Sequence, residues 1–271
     1  MTTSSRGSTC LFCGATGTMT KEHVLRNSMG KILDLGMTNT QHSGWNIADD
    51  GIKVETTDYS IPVGPYDWEI RGFCAPCNNG WMNDLDIAAE DTLVRLINGS
   101  NGKITMEEST VIANWAAKTA AVRSLFDKGT NHVVRSDLDW MHAKHSIPQH
   151  WQVWIGRSSL APERRVFTRH FRMAVAQPEG YERVHVTVLA QNRLAVIVRG
   201  TEVLPYPAGD PTFQSWSISP IAETERRIVE IFRHGPHSAD MKGRGKLTRK
   251  DLIEVSSRIG TSSSSRIETY P

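Results

Sequence analysis

The stretch CAPCNNGWMNDLD, Cys74–Asp86, decides how the first part of the chain folds. Its two cysteines are separated by two residues, and the only other cysteines, Cys10 and Cys13, have the same spacing. Two intervening residues allow both sulfurs of a pair to bind one tetrahedral ion at about 2.3 Å. The two pairs therefore predict a closed structural zinc site, with no open position for chemistry at that ion, formed by Cys10, Cys13, Cys74 and Cys77.

The composition of the 271-residue chain is that of an ordinary globular protein, with 39% apolar and 22% charged residues. The longest strongly apolar run, at residues 194–198, is too short to span a bilayer, and the first ten residues lack the layout of a signal peptide. We therefore expect a cytoplasmic protein with no membrane partner. In a reducing compartment, four cysteines favour metal binding over disulfides.

Local patterns predict an α+β fold that begins with a zinc module at residues 1–100. The zinc knuckles, a hairpin and a helix are expected to form a treble-clef-type arrangement in this module. Residues 52–61 and 66–74 are predicted to be strands, because apolar and β-branched residues alternate there. The segment 34–52 is rich in Gly, Asn, Asp and Thr, which predicts a loop.

The remainder of the chain is predicted to form a helix, a second module and a tail. A bridging helix is expected over 101–127, opened by a capping pattern at Thr105 and Glu108. A C-terminal α+β module is expected over 128–250, and its clearest strand signals are at 150–156, 184–190 and 192–200. Residues 251–271 are predicted to be a flexible tail.

Charge is unevenly distributed along the chain. Residues 1–127 carry 10 Lys and Arg against 15 Asp and Glu, whereas residues 128–271 carry 21 against 14. A polyanion would prefer the second half, although charge drifts in this way in many two-domain proteins. Four arginines there are candidate phosphate contacts, with a solvated face as the alternative interpretation: Arg164, Arg165, Arg169 and Arg172.

Three residues near the cysteine pairs have the chemistry of a second site. Glu22 and His23 lie between the pairs, and Asn78 directly follows Cys77. An imidazole can accept a proton from water near pH 7, and a carboxylate can bind a hard divalent ion. A zinc site that fixed Asn78 opposite the strand of His23 would add an amide oxygen to this set.

The order Cys-x-x-Cys, then acid-His-Val, then Cys-x-x-Cys-Asn resembles the zinc-containing HNH endonucleases of the ββα-metal fold. The form that ends in Asn is similar to the phage recombination endonucleases that cut branched DNA. The resemblance covers roughly residues 10–98. It implies that His23 is the general base, and that Glu22 and Asn78 hold a catalytic Mg²⁺ or Mn²⁺. In the family an Asp is commoner at the position of Glu22.

Two features of this chain depart from the family pattern. Many members have a Pro soon after the His, where this chain has Leu25–Asn27. The central Asn of the signature, which orients the base, has its best counterpart in Asn46, and the gap between the knuckles is longer than usual.

The resemblance implies a metal-dependent DNA endonuclease, whose C-terminal module binds DNA, a partner or a second subunit in a homodimer. The alternative is a non-catalytic zinc-dependent module that binds nucleic acid or protein and has a degenerate HNH site. In purely structural terms, Glu22 and His23 would be an exposed pair on a hairpin, and Asn78 or Asn79 would be a helix N-cap.

Overall fold

The protein has a mixed α and β architecture, which confirms the predicted α+β class. The computed structural model describes residues 8–33, 40–47, 54–61, 64–100, 102–126, 133–160, 166–177, 180–205, 227–233 and 235–261. Among these residues, no helix is both long enough and apolar enough to cross a membrane.

Two small antiparallel strand pairs and a helical segment form the cysteine-bearing part of the chain. Strand β1 (Ser8–Thr9) pairs with β2 (Thr16–Gly17), and β3 (Thr20–His23) pairs with β6 (Glu69–Phe73). The elements of this part are β1 (Ser8–Thr9), β2 (Thr16–Gly17), β3 (Thr20–His23), α1 (Asn27–Leu33), β6 (Glu69–Phe73), α2 (Ala75–Cys77), a π-helical turn (Asn78–Met82) and α3 (Asn83–Ile97).

An eight-stranded sheet forms the other large part of the fold. Its strands are β4 (Thr40–Ile47), β5 (Val54–Ile61), β8 (Gln152–Ser158), β9 (Val166–Gln177), β10 (Gly180–Gln191), β11 (Leu194–Pro205), β12 (Ile228–Arg233) and β14 (Lys246–Leu247). Their order is β12-β8-β11-β10-β9-β4-β5, with β14 beside β8. Neighbours are antiparallel except in the parallel pairs β4–β9 and β8–β14.

Both faces of this sheet are covered, and the covering helices come from different parts of the chain. Residues 184–200 are buried in β10 and β11 on both sides of their turn, where only Asn192 and Arg193 reach the surface. Helix α6 (Arg249–Thr261) packs on β9 and β10, and helix α4 (Met106–Ser124) packs on β11 and β12. A shorter helix, α5 (Arg135–Lys144), and a pair of two-residue strands, β7 (Lys103–Ile104) and β13 (Ala239–Asp240), complete the described elements.

Helix α4, predicted as a bridging helix, is a core element that packs both on α3 and on strands of the large sheet. Its start is as predicted, because Thr105 and Glu108 form a reciprocal capping box. Its middle is rich in alanine, and Ala113, Ala116 and Ala120 are all fully buried. Small side chains allow the neighbouring elements to approach closely on several sides, so α4 packs against α3 as well as the sheet.

Strand pairing and hydrophobic packing both cross the predicted boundary at residue 100. The segment predicted to be a loop contains β4, whose backbone pairs with β9 from the second half of the chain. One hydrophobic cluster extends from Cys10 to Met241 and includes residues of both predicted modules. The two halves therefore share a core. Strand β4, whose composition has low β-propensity, is stabilised by pairing with a strand that is distant in sequence.

The predicted flexible tail begins inside a helix. Helix α6 runs through residue 261 and buries Leu252, Val255 and Ser256 against the sheet. The Thr248 hydroxyl accepts from the amide of Asp251 at 3.3 Å, and the Asp251 carboxylate accepts from the amide of Thr248 at 2.7 Å. The capping pattern and the apolar spacing are both visible in the sequence and indicate a helix rather than a flexible segment at residues 251–261. Residues 262–271 of the predicted tail lie outside the described part of the chain.

Candidate metal centre and adjoining cleft

A tight turn between β1 and β2 holds the first cysteine pair. The amide of Cys10 donates to the carbonyl of Ala15 at 2.8 Å, and the amide of Gly14 donates to that of Cys10 at 3.0 Å. Gly14 has a φ of +71°, a left-handed conformation that glycine adopts without strain. The amide of Leu11 donates to the carbonyl of Gly72 at 2.8 Å, which attaches the turn to the end of β6.

The second cysteine pair occupies the first turn of the following helix. Cys74 is the N-cap of α2, in an extended conformation, and Pro76 stands in the first turn. Proline suits this position because the first amides of a helix have no intrahelical partner. The amide of Asn78 donates to the carbonyl of Cys74 at 3.0 Å, so Asn78 is already within the helical segment and is not its N-cap.

The four thiols converge on one point, and this confirms the predicted cluster. Their sulfur atoms all lie within 4.8 Å of one another, and Cys13 Sγ is 3.5 Å from Cys74 Sγ. Sulfurs around a tetrahedral zinc ion at bond lengths of about 2.3 Å lie about 3.8 Å apart. The cluster of Cys10, Cys13, Cys74 and Cys77 can therefore hold a metal ion, and its donors fit structural zinc.

The protonation of the thiols depends on hydrogen bonds and on their mutual repulsion. Burial raises the pKa of the Cys10 thiol, but the amides of Cys13, Cys74 and Phe12 outweigh it and lower the pKa to about 7. At Cys77, burial and the neighbouring Cys74 side chain raise the pKa. Four thiolates this close repel one another, so a bound cation is what would hold them all deprotonated.

Helix α5 packs against the cluster from the second half of the chain. The guanidinium of Arg135 donates to the carbonyl of Leu11 at 2.7 Å and also to that of Phe12. His142 Nδ1 lies 3.8 Å from Cys77 Sγ. A cluster braced in this way on several sides has the closed surroundings of a structural metal site rather than of a catalytic one.

A polar cleft of about 210 Å³ begins one residue beyond the cluster. Its walls include the three residues predicted to form the second site, Glu22, His23 and Asn78, together with Arg26 and Asp86. Glu22 and His23 end β3, whereas Asn78 and Asp86 lie on the helical segment that follows Cys77. The fold therefore brings the predicted site residues to one cavity, large enough for several water molecules of about 30 Å³ each.

The side chain of Asn78 has a defined orientation. Its amide nitrogen donates to Lys21 O and to Thr20 Oγ1, both at 2.8 Å. Because a carbonyl oxygen can only accept, the atom that faces Lys21 O must be the amide nitrogen. Both N–H groups are thus directed to β3, and the amide oxygen is the remaining polar atom of a side chain that lines the cleft.

Glu22 belongs to a buried group of three charges. Lys118 Nζ, from α4, lies 3.2 Å from Glu22 Oε1 and 2.7 Å from Asp86 Oδ1. Burial raises the pKa of Glu22 more than the Lys118 ammonium lowers it. Burial by itself would lower the pKa of Lys118, but the Asp86 and Glu22 carboxylates together outweigh this and raise it. The exposed hairpin pair that a purely structural interpretation expected is not found at Glu22, which is 8% exposed.

His23 is partly exposed and lies beside the carboxylate of Glu69. Its Nε2 lies 3.5 Å from Glu69 Oε1, across the β3–β6 pairing in which the two residues are partners. A hydrogen bond from Lys21 lowers the pKa of Glu69, which is therefore a carboxylate at neutral pH. A carboxylate beside Nε2 favours the tautomer with the proton on that nitrogen, leaving Nδ1 as an acceptor.

Arg26 provides a positive group in the wall of the cleft. Its Nε lies 3.5 Å from Glu90 Oε2, and its side chain is 26% exposed. Within the described part of the chain, Nη1 of Arg26 is buried without a hydrogen-bond partner. A guanidinium in the lining of a polar cavity is suited to an anionic oxygen there.

The proposed orienter Asn46 lies in a different part of the fold. It is in β4, an inner strand of the eight-stranded sheet, and not in the β3–β6 strand pair. Its side chain is outside the described residues. Glu69 is the residue found beside the imidazole of His23. No sequence motif marks Glu69, since its proximity to His23 comes from strand register.

Arg169 does not fit its predicted role as a phosphate contact. It is 3% exposed, and its guanidinium donates to Ile253 O at 2.8 Å and to Ser256 Oγ at 2.7 Å. Its position in the middle of β9, under α6, explains this burial. Arg164, Arg165 and the side chain of Arg172 lie outside the described residues, so those three predictions stand as they were.

Two further residues belong to the charged group of Glu22 and are not among the predicted site residues. Asp86 follows Asn78 by eight residues, and both line the cleft. Lys118 is 96 positions from Glu22, and only the packing of α4 brings them together.

Comparisons of the chain with protein-family models, with curated proteins and with solved structures found no match.

Proposed function

We propose that this protein is a metal-dependent DNA endonuclease of the HNH type, with a structural zinc ion in the four-cysteine cluster. The observation that carries the proposal is the convergence of Glu22, His23 and Asn78 on one polar cleft beside that cluster. A general base, a carboxylate and an amide oxygen are the groups that hydrolysis of a phosphodiester with one metal ion requires.

The donor set of the cleft fits Mg²⁺ or Mn²⁺. Glu22 and Asp86 provide carboxylate oxygens, and Asn78 is held with its amide nitrogen on β3. Hard divalent cations prefer oxygen ligands and keep several waters, for which the cavity has room. A divalent ion held there would supply stabilisation of charge on the phosphate and on the leaving 3′ oxygen.

The charges around the cleft favour binding of a cation before an anion. Two carboxylates and one ammonium, in the group of Glu22, Asp86 and Lys118, sum to one negative charge. Arg26 and Glu90 cancel each other. A divalent cation would change this total from −1 to +1, which matches the single negative charge of a phosphodiester.

The protein groups then have separate roles. His23 accepts a proton from a water molecule as the water oxygen bonds to phosphorus, and the bond from phosphorus to the 3′ oxygen breaks. The products carry a 5′-phosphate and a 3′-hydroxyl, the latter protonated by solvent. Glu69 orients the imidazole, and the guanidinium of Arg26, which lines the cleft, holds a phosphate oxygen.

The test is nicking of supercoiled plasmid by the zinc-loaded protein in Mg²⁺ or Mn²⁺. His23→Ala is expected to lower the rate about 10²–10⁴-fold, the range for loss of a general base. His237→Ala, at a histidine that does not line the cleft, is the matched control. Equal rates for wild type and His23→Ala would remove His23 from the mechanism. Metal-independent DNA binding without nicking would instead favour the non-catalytic binding module.

A further inference from the structure

Lys118 is a fully charged side chain in the interior of the protein. The whole residue is 1% exposed, and the neighbours that surround it on α4 are Ala117, Thr119 and Ala121, all buried. Its ammonium contacts one oxygen of Glu22 and one of Asp86. A buried lysine without such partners would lose its charge, so its charge depends on the carboxylates.

The ammonium and the cleft lie on different sides of the two carboxylates. Glu22 and Asp86 both line the cleft, whereas Lys118 is not part of its lining. The lysine reaches the carboxylates from the core, where α4 packs against α3. Each carboxylate has two oxygens, so contact with Lys118 through one of them leaves the other for a ligand in the cleft.

We propose that Lys118 is a positioning residue that acts as a built-in cation of the metal site. It anchors one oxygen of Glu22 and of Asp86, and it keeps the binding of the divalent ion weak enough for exchange. The inference rests on the proposed function, since it concerns the ion that the cleft would bind. It extends the site beyond residues 10–98 to a helix in the middle of the chain.

The charge balance determines the direction of the effect. The carboxylates of Glu22 and Asp86 together with the Lys118 ammonium have a net charge of −1. The same two carboxylates without the ammonium have a net charge of −2. The ammonium repels a divalent ion a few ångströms away and so opposes its binding. This holds even at an effective dielectric constant of about 20, which is higher than the value of about 4 for a dry protein interior. Removing the ammonium should therefore strengthen binding, whereas damage to a purely structural residue should weaken it.

The experiment is a titration of zinc-loaded, full-length protein with Mn²⁺, followed by electron paramagnetic resonance of the free ion. Lys118→Met keeps the stem of the side chain and removes its charge, and we expect Mn²⁺ to bind about tenfold more tightly or better. We also expect turnover in plasmid nicking at saturating Mn²⁺ to fall, because the carboxylates lose their anchor. Lys242→Met, at an exposed lysine, is the control for loss of one positive charge.

A second variant covers the case in which Lys118→Met does not fold. Lys118→Gln is neutral but can donate to the carboxylates, and it should also bind Mn²⁺ more tightly than wild type. Unchanged or weaker Mn²⁺ binding in a folded variant would overturn the inference, as would failure of both variants to fold. The proposed function would be refuted by a different result: wild-type protein that does not nick DNA, together with Mn²⁺ binding that is equal in wild type and Asn78→Ala. The two failures are therefore distinguishable.

Discussion

The cysteine cluster and the polar cleft are neighbours with opposite properties. Cys77 belongs to the first and Asn78 to the second, so one turn of helix supplies both. The cluster has four soft donors and packed surroundings, whereas the cleft has hard oxygen donors and a cavity open to water. A closed thiolate site is suited to holding a fold together, and an open oxygen site is suited to exchange of ligands.

The difference teaches how the fold positions its candidate chemistry. The cluster attaches β1, β2 and the end of β6 to the start of the helix, through contacts such as Leu11 N to Gly72 O. This fixes the first turn of the helix, and Asn78 then bonds to β3 two residues from His23. On this account, loss of the cluster disrupts the fold and the cleft together, whereas damage to the cleft leaves the cluster intact.

The largest effect should follow from Cys77→Ala, which removes one ligand of the cluster. We expect loss of bound zinc and a fall in unfolding free energy on the order of 4 kcal/mol or more, as is typical when a structural metal is lost. Metal analysis and thermal unfolding measure the two quantities. Retention of one zinc ion per chain with an unchanged melting temperature would show that the cluster is not a structural site.

Asn78→Ala should break the cleft without affecting the cluster. We expect Mn²⁺ binding to weaken about 10–100-fold and nicking to fall with it, in the range seen when residues of a metal site are changed. Asn98→Ala is the matched control, because Asn98 is an exposed amide that is not among the residues lining the cleft. Zinc content should be the same in both variants. If the two variants bound Mn²⁺ equally well, Asn78 would not be a ligand.

Two substitutions compare an arginine that lines the cleft, Arg26→Met, with a buried arginine, Arg169→Met. Arg26→Met should raise the KM for plasmid about tenfold, because a hydrogen bond to a charged group contributes about 1.5–3 kcal/mol. Arg169→Met should lower stability by about 1–3 kcal/mol through its unpaired partners on α6, with little change in nicking. Kinetics and denaturant unfolding of both variants test this, and an increase in KM confined to Arg169→Met would reverse the assignment.

The smallest effect is expected at His150, which lies in neither region. A hydrogen bond to Asp137 raises the pKa of His150. A raised pKa stabilises the folded state below the unfolded value, near 6.5, and this stabilisation is lost as pH rises through the folded pKa. His150→Gln should therefore cost more stability at pH 5.5 than at pH 8, by less than about 1 kcal/mol, since the side chain is 47% exposed. An equal cost at both pH values would contradict the assignment.

Local patterns predicted the elements of the fold better than their arrangement. The cysteine spacing, the capping box at Thr105 and the strand signals of β10 and β11 each depend on neighbours in sequence, and each was found. The position of β4 in the large sheet could not be predicted in the same way. Its composition is that of a loop, and its pairing with β9 joins residues more than 120 positions apart.

The candidate site shows the same limit. Glu22, His23 and Asn78 were singled out from sequence and do line one cleft. Glu69 and Lys118 were not, because their proximity to His23 and Glu22 depends on strand register and on the packing of α4. Arg169 was misassigned, because a cluster of arginines in sequence does not reveal which of them a later helix will cover.

The most direct test of the central claim is a crystal of the zinc-loaded protein soaked in Mn²⁺, with anomalous diffraction recorded at the manganese and zinc edges. The account predicts two separate peaks, zinc among the four thiolates and manganese in the cleft, bound by Glu22 and the amide oxygen of Asn78. A zinc peak alone, with no manganese in the cleft at saturating concentration, would contradict it.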